Sequence, residues 1–130
     1  MAVQAIWDNE AQTIFQYIFD PGWTWDEFFA AKKQANAMMD RIDHKIGVIL
    51  HMPVENVIPQ DVLANARNGL LSKHPNTVMI VVVSSRPFVR TMIETLRALS
   101  PLADAGLETT STLEEARAMI EEKLQETRSS

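Results

Sequence analysis

The sequence predicts an α/β fold in the order β-β-α-β-α-β-α-β-α, a single mixed sheet with one or both faces covered by helices. Three observations predict it. Val78 to Val83 is an unbroken apolar run of mostly β-branched residues. So short a run without alternation fits a strand buried on both faces. Further short apolar runs alternate with stretches whose apolar residues recur every three or four positions, the spacing of amphipathic helices. Turn-forming groups such as Asp20-Pro21-Gly22 and His74-Pro75-Asn76 stand between them.

In chain order, Val3–Trp7 and Thr13–Phe19 are rich in β-formers, and the polar stretch Asp8 to Gln12 suits a hairpin loop. Within the second strand Ile14, Gln16 and Ile18 face one way, and Phe15, Tyr17 and Phe19 the other. Thr24-Trp25-Asp26-Glu27 is a capping box, with two acidic residues at the positive end of the helix dipole. Phe28, Ala31, Ala35, Met38, Met39 and Ile42 make that helix's apolar stripe, and its expected end is near Asp43. Ile46–Leu50 is the next strand, running on to His51 and Met52, with Pro53 at its exit. Val54–Ile58 is a connector. Pro59, Gln60 and Asp61 open a helix whose inner residues are Val62, Leu63, Ala66, Leu70 and Leu71.

Thr77–Val83 follows as the core strand. Ser84 or Ser85 is the expected cap of a helix with Pro87 in its first turn. Val89, Met92, Ile93, Leu96 and Leu99 form its inner face, and Ser100-Pro101 ends it. Gly106–Thr109 reads as a short strand. Ser111 and Thr112 offer overlapping capping boxes for a last helix with Leu113, Ala116, Ile120 and Leu124 inside. The first strand pairs antiparallel through its hairpin, and the others are parallel, joined by right-handed crossovers.

The chain has 130 residues, the size of one domain, and a net charge of −5. That balance argues against nucleic-acid binding, which usually needs a basic stripe. With no cysteine, disulfides, thiolate metal sites and cysteine nucleophiles are excluded. The first residues lack the basic and apolar regions of a signal peptide. No apolar run approaches the roughly 20 residues that span a bilayer. The expectation is a cytoplasmic protein that does not span a membrane and needs no cofactor.

Three segments carry a resemblance to a known family: Trp25-Asp26-Glu27-Phe28-Phe29, His74-Pro75-Asn76 before a Val/Ile strand, and Thr112-Leu113-Glu114-Glu115-Ala116. With the element order they resemble the STAS domain, the fold of bacterial anti-sigma factor antagonists, and within it the SpoIIAA-like group of small stand-alone proteins. The resemblance implies a STAS/SpoIIAA-like fold over residues 1–130 and a regulatory role through protein contacts. One departure stands out. The antagonists' aspartate-serine-serine-glycine signature would fall on Pro59, Gln60, Asp61 and Val62, where there is no hydroxyl. The resemblance thus implies a member without the phosphorylatable serine. Asp61 puts a fixed negative charge there, which the helix dipole alone explains.

Among candidate sites, Ser84, Ser85 and Arg86 combine hydroxyls, free N–H groups at a helix start and a guanidinium, a set that suits a phosphate or carboxylate. The same residues also fit a capped helix with a surface arginine. His51 ends its strand near the same sheet edge, although a structural strand-end histidine is the simpler reading. His44, His51 and His74 have no metal-ligand spacing, so no metal site is expected. Asp40-Arg41-Ile42-Asp43-His44 reads as a solvated helix end. Trp23 and Trp25 suit either an interface anchor or a staple onto the first helix.

The sequence provides no nucleophile–base pair, so the reading is non-enzymatic: a regulatory or protein-interaction module. It would act through the Val54–Asp61 connector and the Ser84–Phe88 turn on a protein partner, with a homodimer also compatible. The alternative is a carrier of a lipid or other small apolar anion. Its apolar part would lie among methionines and aromatics, with its acid group at Ser85 and Arg86.

Overall fold

A computed structural model describes residues 3–52, 64, 65, 68, 74–99 and 106–129. They include strands β1 (Val3–Trp7), β2 (Ile14–Phe19), β3 (Ile46–His51), β4 (Thr77–Val83) and β5 (Leu107–Thr110). Three helices accompany them: α1 (Trp25–Met39), α2 (Pro87–Leu99) and α3 (Leu113–Ser129). Ala64, Asn65 and Asn68 are also helical, in the stretch where the sequence predicts a helix. The rest of that stretch and the Val54–Ile58 connector lie outside the described residues.

The strands lie side by side in chain order. β1 is antiparallel to β2, with Ala5 opposite Tyr17, and β2 through β5 run parallel. The mixed sheet expected from the sequence is therefore present. Crossovers of one hand from β2 to β3 and from β4 to β5 put α1 and α2 on one face. That face is the aromatic one. Phe15, Tyr17, Phe19, Val48, Leu50, Ile80, Val82 and Leu107 pack there with Phe28, Ala31, Ala35 and Met39 of α1 and Val89, Met92, Ile93 and Leu96 of α2.

The opposite face is just as apolar under β3 and β4, so it too needs a cover. α3 folds back across this face. It buries Ala116, Ile120 and Leu124 against Ile14, Ile49, Met79, Val81 and Val83. α3 packs on β3, β4 and β5. Beyond it Ile18 is half-buried and Ile6 is 41% exposed.

The capping box of α1 forms as expected. Thr24 Oγ1 accepts from the Glu27 N–H at 3.2 Å, and Glu27 Oε1 accepts from the Thr24 N–H at 3.1 Å. Trp23, just before the cap, is buried with its ring 6.5 Å from that of Phe28, four positions into the helix. This is a hydrophobic staple, so Trp23 is a core residue and not an interface anchor. Gly22 turns the chain into the cap with φ +83, a backbone that favours glycine.

Two expectations need correction. α1 ends at Met39, not near Asp43. The N–H groups of Arg41 and Ile42 bond three residues back, to Met38 and Met39, and the Asn76 side chain donates to the carbonyls of Met39 and Ile42. A side chain from the turn before β4 thus takes over carbonyls that a longer helix would use. At α2, the first intrahelical bond runs from the Arg90 N–H to the Arg86 carbonyl, which makes Arg86 the cap in place of Ser84 or Ser85. The last helix is capped by Thr112, whose Oγ1 accepts from the Glu115 N–H at 3.1 Å.

Candidate functional site

The predicted site lies where β3 and β4 end. His51 stands opposite Val83 in register, and the Met52 N–H donates to the Val83 carbonyl at 3.1 Å. The backbone of His51 is therefore next to the Ser84 turn. Ser84 is buried and braced: its N–H donates to the Thr110 carbonyl at 2.9 Å, and its Oγ accepts from the Arg86 N–H at 3.2 Å. Such a hydroxyl shapes the turn. Ser85 is exposed and Arg86 half-buried. Asp61 lies outside the described residues.

The structure does not bring the His51 ring to this turn. By strand alternation His51 shares the α3 side of the sheet with Ile49, while the turn leads into α2 on the other side. Burial, and then the positive charge of Arg117 on α3, push the His51 pKa down. The neutral imidazole is thus favoured in the folded chain, and the unfolded chain takes up a proton first as pH falls. Stability should decline as pH drops through the ordinary histidine value of about 6.5. His51→Gln should flatten that decline in urea melts between about pH 7.5 and 5.5; equal slopes for the two chains would contradict it.

The other two histidines each have their own hydrogen-bond partner. His44 Nε2 donates to the Gln12 carbonyl at 2.8 Å. His74 accepts from the Asn76 N–H at Nδ1, which leaves Nε2 to donate to Asp40 Oδ1 at 2.7 Å. Among the described residues no group of three His, Asp or Glu side chains is placed to hold a metal ion, and no helix is long and apolar enough to cross a membrane.

Two features were missed by sequence reasoning. One is the exposure of Phe88, the last residue of the predicted Ser84–Phe88 turn, which is 53% exposed in the first turn of α2. It stands one position before the inner stripe that begins at Val89, so its exposure was readable from helical spacing. The other is a polar lock on the α3 side. Arg117 donates through Nε and Nη2 to the two oxygens of Asp8, each at 2.9 Å, and Gln16 Nε2 donates to Asp8 Oδ1 at 2.6 Å. It ties the β1–β2 turn to the last helix.

A cavity under α1 bears on the carrier reading. Tyr17, Phe28, Met39, Val48, Leu50 and Ile80 give it apolar walls, with Lys32, Asn36, His74 and Thr77 around them. Among the described residues the buried Thr77 hydroxyl has no hydrogen-bond partner, and burial pushes the Tyr17 phenol up and the Lys32 amine down. Its volume of about 30 Å³ holds a water or two. Small-molecule pockets run from roughly 300 to 1,000 Å³. No family model, characterised protein or solved structure matches the chain.

Proposed function

We propose that the protein is a non-enzymatic protein-interaction module of STAS-like, SpoIIAA-like architecture, acting through the sheet edge that carries the Ser84–Phe88 turn. Phe88 carries this reading. A phenyl ring more than half exposed, on a turn fixed by the buried Ser84, is a rigid apolar anchor beside polar Ser85 and Arg86. Aromatic side chains with a polar surround are what partner proteins bury at the centre of an interface. The small cavity under α1 offers no seat for an acyl chain, so the carrier alternative gains no support from it.

Removing an exposed ring should leave the fold intact. Phe88→Ser is expected to melt within about 0.5 kcal/mol of the parent. It should lose a partner that the parent retains on affinity capture from its own cells. Equal recovery of the same protein by both chains would contradict the reading.

A further inference from the structure

A second surface lies between α3 and β5, the last strand in the sheet order. Glu122 and Lys123 stand three and four residues after Met119, and Glu126 stands four and three residues after them, so the four share one stripe along α3. With Met79 of β4 and Glu108 of β5 they line a groove of about 250 Å³. That is several times the cavity under α1.

The floor and the rim of this groove differ in chemistry. The half-buried Met119 is the main apolar surface, with Met79, 9% exposed, adding only its edge; methionine is flexible and polarizable and adapts to varied side chains. The rim has three carboxylates and one ammonium. Glu108 is partly engaged by Arg97, whose Nη1 lies 3.5 Å from it, while Glu122 and Glu126 are exposed. The carboxylates are not arranged to hold a metal ion. Local charge and the net charge of −5 have the same sign, which repels anionic surfaces and draws basic groups.

We propose that this groove docks a basic segment of a protein partner. An aliphatic side chain of the segment rests on Met79 and Met119, and its lysine or arginine side chains pair with Glu122 and Glu126. An anionic membrane and a nucleic acid have the wrong sign, and a polyamine has no apolar branch for the methionine floor. The surface is separate from the Phe88 edge, so each can fail without the other.

The probe is a fluorescent peptide of alternating arginine and leucine, titrated against the full chain by polarization at low and moderate salt. Surface ion pairs are each worth well under a tenfold change, so Glu122→Gln/Glu126→Gln should weaken binding about fivefold, and added salt should weaken it further. A control of equal charge, Glu94→Gln/Glu121→Gln at exposed sites outside the groove lining, should change it by less than about twofold. Replacing the leucines by serine should also weaken binding. Equal loss in both double variants, or equal binding by the serine peptide or spermine, would mean general attraction to an acidic protein and would overturn the proposal. So would a peptide that does not bind.

Discussion

Alanine at Gly47 is expected to destabilise the protein by about 2 kcal/mol, within the usual range for overpacking a tight core. The added methyl would run into Ile120 of α3, overlapping Cγ2 and standing 2.7 Å from Cγ1 and 2.9 Å from Cδ1. Ile120 is fully buried, and its β-branched side chain has little rotamer freedom in a helix. The conflict is relieved by straining the Ile120 side chain or by lifting α3 from β3. Ile120→Ala alone should cost a further 2 kcal/mol or more, about the low end for truncating a buried isoleucine. Combined, the two changes should cost at least about 1 kcal/mol less than their sum, because each removes what the other strains against. Strict additivity in urea melts would mean that the helix does not sit on that glycine.

Breaking the Asp8–Arg117 lock should be as costly, and its two halves should differ. The Asp8 side chain is 7% exposed and that of Arg117 42% exposed. Removing one member of a buried pair leaves the other without compensation. After Asp8→Ala, Arg117 can turn toward water, so the loss should be about 2 kcal/mol, near that of a hydrogen bond to a charged group. After Arg117→Met, the buried carboxylate keeps only Gln16 as a side-chain partner, and the loss should be larger, about 3 kcal/mol. Denaturant melts of the two variants give the order directly; the reverse order would show that the pair is as solvated at Asp8 as at Arg117.

The fold was legible because its signals are local. Alternation in Ile14–Phe19 placed Phe15, Tyr17 and Phe19 under α1, and the Thr24–Glu27 pair marked the start of that helix. The apolar run ending at Val83 proved to be a strand buried on both faces. What escaped depends on residues far apart in the chain. α1 stops early because Asn76 reaches its carbonyls, and Asp8 meets Arg117 across 109 positions. At the candidate site, strand position does not tell which way a side chain faces. His51 and the Ser84 turn end at one edge, yet alternation sends the imidazole to the α3 side. The hydrogen bond by which the buried Ser84 braces the turn, and the exposure of Phe88 next to it, depend on the folded turn and could not be read from the serines alone.

The central claim is that the Phe88 edge meets a protein partner, and site-specific photocrosslinking in the protein's own cells tests it most directly. Benzoylphenylalanine in place of Phe88 keeps the phenyl ring, adds a benzoyl group that extends into solvent, and reports what lies within reach of it. The same group at Gln34 of α1, an exposed position on another surface, is the control. The account predicts a discrete adduct from position 88 that is absent at position 34. No adduct at position 88, or the same adduct from both positions, would contradict it.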